Sequence, residues 1–292
     1  MTAARAHRDR LVGVFVLTAA VLVIEIVGSY LTDSLALLAD AGHLLTDTVG
    51  IGLALGAIWF AGRPPTEART FGYLRLEILA AVANAVLLLG IAVIVVIEAI
   101  RRLADPPDIL AGPMLVIALI GGAANLIGAM LLHAPARDSL NMRGAYLEVL
   151  SDLLGSIAVV IAAVVILLTG WTPIDALASL AIGALILPRT VRLLREAVDV
   201  LLEASPKGLD IDDVRRHILD APGVADVHDL HAWTITSGLN VVSAHVVIEP
   251  EADPPAVLDE LCRCLSGDFD IEHSTFQLET TDRRRLEERA HA

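Results

Sequence analysis

The chain has 292 residues, of which 55% are hydrophobic and 19% charged, with a mean hydropathy of +0.69. Water-soluble domains sit at about 45–50% apolar and about 25% charged, so this composition excludes an ordinary soluble fold and calls for lipid around the chain. A net charge of −14 excludes nucleic acid as a partner, and two cysteines, Cys262 and Cys264, exclude a disulfide framework.

The acidity is unevenly placed. Residues 203–292 hold 19 Asp/Glu against 8 Lys/Arg, whereas residues 1–202 hold 16 against 13. The chain therefore divides into an apolar domain over 1–204, an acidic water-exposed domain over 205–282 and a charged tail over 283–292. Glu203-Ala204-Ser205-Pro206-Lys207-Gly208 reads as a helix stop and short linker.

In the apolar domain, six membrane-spanning helices are predicted at 11–31, 36–60, 71–104, 113–133, 142–169 and 174–200. Each holds an apolar stretch near the ~20 residues a bilayer requires. Turn chemistry separates them at Gly62-Arg63-Pro64-Pro65, Asp105-Pro106-Pro107-Asp108, Ala134-Pro135-Ala136-Arg137 and Gly170-Trp171-Thr172-Pro173. The first span follows Arg5, Arg8 and Arg10 as a signal peptide would, but its apolar run continues past Glu25 and further spans follow, so cleavage is not expected. Those arginines share one side of a six-span arrangement with Arg63, Arg69, Arg75, Arg137, Arg143, Arg189, Arg192 and Arg195, whereas Arg101 and Arg102 fall opposite. The positive-inside rule then places both termini and the acidic domain in the cytoplasm of a cell-membrane protein, with Arg101 and Arg102 snorkelling to the interface.

The acidic domain reads helix (209–219), strand (224–235), strand (239–248), helix (254–265), strand (271–280), with Ser237-Gly238 as the hairpin turn. The expected unit is an α+β, ferredoxin-like αββαβ sheet with two helices on one face.

Ionisable residues at the middle of a span cost about 2.5–3.5 kcal/mol on insertion scales and mark function by default. Span two carries Asp40, His43 and Asp47; span five carries Glu148 and Asp152. His43/Asp47 and Glu148/Asp152 are each spaced i, i+4, so each pair projects from one helix face. Any one of these alone is equally well explained by a hydrogen bond between helices. Two such pairs on two helices supply four N/O ligands, the number a tetrahedral divalent-cation site takes. Small residues flank them: Gly144 and Ser156 continue the Glu148/Asp152 row, Gly42 precedes His43, and Gly50 lies a turn beyond Asp47. Asp40 shares a face with His43 and is expected to orient its imidazole. Glu25, Glu77, Asn84 and Asp175 are expected to be interhelical hydrogen-bond partners or proton-path residues.

These stretches resemble a known family. Asp33-Ser34-Leu35-Ala36-Leu37-Leu38-Ala39-Asp40-Ala41-Gly42-His43-Leu44-Leu45-Thr46-Asp47 closely resembles the second span of the cation diffusion facilitators, in its zinc-exporter-like branch. Phe71-Gly72-Tyr73-Leu74-Arg75-Leu76-Glu77, Asn141-Met142-Arg143-Gly144-Ala145-Tyr146 and Ile174-Asp175 with Ser179 agree with it. So do His228-Asp229-Leu230-His231-Ala232-Trp233, Ser243-Ala244-His245-Val246 and Glu272-His273-Ser274-Thr275-Phe276-Gln277-Leu278-Glu279. The resemblance covers nearly the whole chain. It implies a homodimeric antiporter exporting a divalent metal, Zn2+ or a related ion, against H+, with no other cofactor. It also implies a cytoplasmic metal site near the dimer interface, for which His228, His245, His273 and Glu279 are the matching positions. Spacing alone leaves those four equally open to being ordinary half-buried strand residues, with His245 and His273 able to meet across the sheet. His231 is expected to be structural, and Cys262 and Cys264, at i, i+2 on a helix, to pack rather than ligate.

The chain departs from the family in two places. Glu148 stands where the zinc-exporting branch has His, which makes a harder ligand set and opens Mn2+ and Co2+ beside Zn2+ and Cd2+. The His-rich loop between spans four and five is absent, with His133 alone there.

The mechanism expected is alternating access, with protons displacing metal from His43, Asp47, Glu148 and Asp152. An imidazole ordinarily titrates near physiological pH, which makes His43 the first proton carrier to consider. Two rivals remain. An intramembrane metallohydrolase needs a motif such as His-Glu-x-x-His, and His43-Leu44-Leu45-Thr46 lacks the Glu. A membrane-tethered metal sensor needs no ligands at membrane depth. Metal drawing two acidic cytoplasmic domains together in a dimer is the expected use of their negative charge.

Overall fold

The computed structural model describes residues 3–133, 140–271 and 273–287. The predicted break at 134–137 with Arg137, Glu272, and the tail beyond residue 287 lie outside the described residues, as do the side chains of Arg5, Arg8, Arg10, Asn141 and Met142.

Six long helices come first: α1 (Ala3–Thr32), α2 (Leu35–Ala61), α3 (Leu76–Ala104), α4 (Ala111–His133), α5 (Leu140–Thr169) and α6 (Pro173–Leu201). Five of them, all but α2, contain windows long and apolar enough to cross a membrane among the described residues. α2 has 27 residues, more than a bilayer needs, and is the helix that carries Asp40, His43 and Asp47. Apolar side chains such as Val16, Ile94, Met130, Ile161 and Leu168 are left exposed, which only lipid would cover. The chain is therefore a multi-pass membrane protein followed by a small sheet-containing domain.

The chain separates into two compact units, residues 1–55 with 81–194, and residues 56–80 with 195–292. In the first, a core of Leu35, Leu37, Val95, Met114, Val159 and Ile182 joins α2, α3, α4, α5 and α6. A polar clamp fixes the start of α2. Asp175, in the first turn of α6, accepts hydrogen bonds from the Ser34 hydroxyl (2.6 Å), the Leu35 N–H (2.7 Å) and the Ala36 N–H (3.2 Å). Ser34 itself accepts from the Leu37 N–H. Free N–H groups at a helix start need acceptors, and here they come from a carboxylate some 140 positions away in sequence. Asp175 thus acts as an interhelical partner and sets where α2, and with it His43, begins. Arg102 does not simply snorkel: its guanidinium donates to the Asp33 carbonyl (2.6 Å) and carboxylate (2.9 Å) and to Glu98 (3.1 Å).

The second unit contains α7 (Ile211–Leu219), β1 (Val224–Thr236), β2 (Leu239–Ile248), α8 (Pro254–Phe269), β3 (His273–Glu279) and α9 (Thr281–Glu287). Asp210 caps α7 by accepting from the Asp212 and Asp213 N–H groups. The sheet order is β1-β2-β3, with β1 antiparallel and β3 parallel to β2. Val214 and Ile218 of α7 and Val257, Leu261 and Leu265 of α8 cover one sheet face through Val242, Ala244 and Val246. This is the expected αββαβ unit, with α9 added in what the sequence reads as tail. Cys262 is exposed and Cys264 lies in the core, where burial pushes its thiol up; neither is near a metal-type cluster.

Glu77 departs from expectation. The third helix starts at Leu76 rather than 71, so Glu77 sits in its first turn, where it accepts from the Thr236 and Ser237 hydroxyls at the β1–β2 hairpin, the latter at 2.7 Å. It is a partner of the hairpin, not of another membrane helix.

Replacing Asp175 by Ala strands buried donors at the start of α2, at a cost of about 2 kcal/mol. The thermal unfolding midpoint of detergent-solubilised Asp175→Ala should fall by several degrees, while Asp175→Asn, which keeps one acceptor, should fall less.

Candidate metal centres

On α2, His43 and Asp47 stand one turn apart; on α5, so do Glu148 and Asp152. The fold brings all four together around the imidazole. His43 Nε2 lies 3.4 Å from Asp152 Oδ1, 3.7 Å from Asp47 Oδ2 and 3.9 Å from Glu148 Oε1. The ligand atoms of His43, Asp47 and Asp152 all fall within 4.8 Å of one another. Both ring nitrogens of His43, one oxygen of Asp47 and one of Asp152 are buried without a hydrogen-bond partner among the described residues. Buried polar atoms are normally satisfied, and a set of unsatisfied lone pairs converging on one point is what a cation would complete.

Glu148 is differently placed. Its Oε1 faces His43, but its Oε2 is paired with the Arg189 guanidinium of α6. Arg189 was legible in the sequence only as one of a row of arginines at the end of span six. A cavity of about 450 Å³ reaches the set, and His43, Asp47, Asn84, Glu148, Arg189 and Thr190 are among its walls. Asn84 of α3 packs its amide against Gly50, where a Cβ would stand 2.7 Å from Asn84 Nδ2, and its Oδ1 has no hydrogen-bond partner. The space Gly50 leaves is therefore filled by a polar group at the cavity wall.

Asp40 does not hold the imidazole. Its carboxylate accepts from the Ser156 hydroxyl (3.4 Å) and lies against Gly155, whereas His43 Nδ1 has no partner. Three positions before His43 on a helix is a rotation of about 300°, enough to aim Asp40 toward α5 beyond Asp152 rather than at the ring.

The second cluster is in the sheet. His228 and His245 are register partners on β1 and β2, with ring centroids 5.0 Å apart. Glu279, buried at the end of β3, bridges them: Oε2 is 3.2 Å from His228 Nε2 and Oε1 is 3.0 Å from His245 Nδ1. The Gln277 amide donates to the same carboxylate at 2.5 Å. A β-bulge follows His228, with Asp229 at φ 46°, and Asp229 Oδ2 is 3.6 Å from His228 Nδ1.

His273 is not brought to this cluster. Parallel pairing sets His273 opposite Val241 and Glu279 opposite Val247, so His273 and Glu279 lie six positions, roughly 20 Å, apart along β3. His245 faces Gln277 instead, and the His273 ring packs edge-on against Phe71 at 5.4 Å. His231 lines a small pocket with Trp233 and Ser243, away from the ligand cluster.

The chain matches known proteins along most of its length. The family model described as the cation efflux transmembrane domain matches residues 11–202, and that of the cation efflux protein cytoplasmic domain matches residues 206–281. The chain is 47% identical to the metal cation efflux system protein CzcD of Cupriavidus metallidurans, over 90% of this chain and 84% of that one. It is 43% identical to the zinc transporter ZitB of Escherichia coli, over 92% of this chain and 87% of that one. It is 38% identical to the cadmium, cobalt and zinc/H(+)-K(+) antiporter of Bacillus subtilis, over 91% and 87%. A solved structure, the metal-bound C-terminal domain of CzcD, covers 24% of this chain and 99% of its own at 43% identity, with a TM-score of 0.24.

Arg189 engages one oxygen of Glu148 that a bound cation would also draw on. Removing it frees one carboxylate oxygen and takes a positive charge from beside the set, so Arg189→Gln should tighten zinc binding about three- to tenfold. Equilibrium dialysis of the detergent-solubilised protein against radiolabelled zinc measures it.

Proposed function

Because the chain belongs to the cation efflux family, we propose that it exports a divalent transition-metal cation from the cytoplasm in exchange for protons, by alternating access at His43, Asp47, Glu148 and Asp152. The family is one of transporters, and the chain is not an enzyme. The observation that carries the reading is the convergence of unsatisfied lone pairs from His43, Asp47 and Asp152 beside a cavity, with Glu148 on the same imidazole.

The chemistry follows from charge. A divalent ion in the set is met by three carboxylates and one neutral imidazole. When the metal leaves, those carboxylates stay behind in a low-dielectric interior, and an uncompensated buried charge is costly. Protons restore the balance, and because ligands must be deprotonated to bind, protons and metal exclude one another. Zn2+ is the first cargo to test; Co2+, Cd2+ and Mn2+ are also compatible with one nitrogen and three oxygens. Relatives named for zinc, cadmium and cobalt, and as antiporters, support this choice.

In this reading residues 1–204 are the transport domain, 205–282 the cytoplasmic domain and 283–292 a charged tail. Both termini face the cytoplasm of the cell membrane, as the arginine distribution favours. The chain works as a homodimer whose acidic cytoplasmic domains approach when metal binds. His228, His245 and Glu279 form the cytoplasmic centre, supported by their mutual distances. His273 enters such a centre only from elsewhere, because the strand register holds it away from the other three.

In proteoliposomes, a pH gradient should drive zinc uptake by the wild-type chain. Asp47→Ala and Asp152→Ala should each reduce it at least tenfold, since each removes a ligand and leaves its neighbours unpaired. Unchanged flux in both variants defeats the four-ligand site. Glu148→His replaces a hard ligand by a softer one, so competition uptake should shift from Mn2+ toward Zn2+ and Cd2+. An ion preference indifferent to that change defeats the role given to Glu148.

A further inference from the structure

Beyond the ligand set, away from the cavity, lies a second polar group of residues inside the bundle. Glu25 of α1 is 1% exposed and Asp40 of α2 is 2% exposed. Both acids border the same serine: a Cβ at Gly121 would stand 2.6 Å from Glu25 Oε1 and 3.7 Å from Ser156 Oγ, and Ser156 Oγ is 3.4 Å from Asp40 Oδ2. Ser156 of α5, one turn beyond Asp152, donates to Asp40 Oδ2 at 3.4 Å and accepts from the Asn125 amide of α4 at 3.2 Å. Neither oxygen of Glu25 has a hydrogen-bond donor among the described residues.

Two glycines make the room. A Cβ at Gly121 of α4 would stand 2.6 Å from Glu25 Oε1, and a Cβ at Gly155 of α5 would stand 2.6 Å from Asp40 Oδ1. Any other residue at either position would collide with a carboxyl group. Glu25 and Asp40 are thus seated against helix backbone, and neither belongs to a cluster of three metal-type ligands among the described residues.

Among the described residues, the charged groups of the neighbouring helices nearest Glu25 are acids. α2 presents Asp40 and α5 presents Asp152; α4 presents the uncharged Gly121 and Asn125. Arg189, which answers Glu148, does not answer this pair. Two carboxylates bordering one serine in a dry interior oppose each other's ionisation, and a proton shared between them removes one of the two charges.

We propose that Glu25 and Asp40 form a proton-binding site separate from the metal ligands, holding one shared proton while the metal set is empty and giving it up when the set fills. This rests on the proton-exchange reading above and assigns part of the exchanged charge to residues that never touch the metal. On metal binding, one H+ leaves the pair for water and the pair gains one negative charge, drawn out by the two positive charges arriving in the next turn of α2 and α5. On metal release the pair takes one H+ back. Asn125 and Ser156 hold Asp40 in place throughout, so that Glu25 is the group that changes partner.

The test uses the full-length chain in two ways. In proteoliposomes with trapped pH and zinc dyes, Glu25→Gln, which mimics the protonated acid, should exchange about one proton fewer per zinc, while zinc binding in detergent stays within about threefold of wild type. Glu25→Asp, which keeps a carboxyl, should keep the wild-type ratio. Separately, infrared difference spectra of zinc-free minus zinc-bound protein should show a carboxylic-acid C=O band that Glu25→Gln abolishes. An unchanged proton-to-zinc ratio, an unchanged band, or loss of zinc binding in folded Glu25→Gln each overturns the proposal, the last by making Glu25 a ligand. If Glu25→Gln does not fold, Glu25→Asp decides: its acid band must move from the wild-type position, and an unmoved band overturns the assignment. Zinc flux without proton flux in the wild-type chain defeats the antiport reading instead, and the infrared band still reports on the pair.

Discussion

Burying a carboxylate in a helical bundle surrounded by lipid is costly unless something answers its charge, and the membrane unit is organised by the different answers it gives. Asp175 is answered by three donors at the start of α2. Glu148 is answered by Arg189. Among the described residues, the one base near Asp47 and Asp152 within ion-pair distance is the imidazole of His43, which offers a positive charge only when protonated. Glu25 and Asp40 are both buried beside Ser156. Acids with fixed donors serve structure, because their compensation is always present. Under the proposed function, acids whose compensation must arrive from outside are the ones that would exchange one cation for another.

The structural acids also fix where the exchanging ones stand. Asp175 pins the first turn of α2, which sets the rotation of that helix and so the direction of His43 and Asp47. The helices then come close through small residues: Gly155 and Gly121 let the backbones of α5 and α4 approach the acids of α2 and α1. A larger residue at either glycine displaces a carboxyl group rather than a flexible apolar chain. In the cytoplasmic unit the same logic takes a milder form. Glu279 is buried but sits between two imidazoles and an amide, so its charge is shared among neighbours that water still reaches.

The helical period made much of this legible. The i, i+4 spacing of His43/Asp47 and of Glu148/Asp152 is enough to place each pair on one face, and the two faces do meet at one imidazole. Alternation and the Ser237-Gly238 turn are enough for β1 and β2. What the sequence withheld are facts about register and about partners distant in sequence. Whether His273 or Glu279 meets His245 depends on how β3 slides along β2, and nothing local to either strand encodes that offset. Asp40 shares a helix with His43 yet turns to Ser156, because an acid in a dry interior takes the nearest available donor. Arg189 looked like one more basic residue at a span end, and its partner is 41 positions earlier on another helix. Glu77 was misplaced because the apolar run suggested an earlier start to the third helix than Leu76.

Arg189 explains how Glu148 can stand where the zinc-exporting branch has histidine. With histidine there, two carboxylates meet a divalent ion and the loaded site is neutral. With glutamate there, three carboxylates leave a negative charge over, unless a base supplies the difference. The guanidinium paired with Glu148 supplies it, so three carboxylates, one guanidinium and a divalent ion again come to zero. Under the proposed transport, neutrality of the loaded state matters because that state would sit in the bilayer's low-dielectric middle whichever way the site faced. A carboxylate at position 148 with a guanidinium beside it would thus give a metal-filled set the same net charge as an imidazole there.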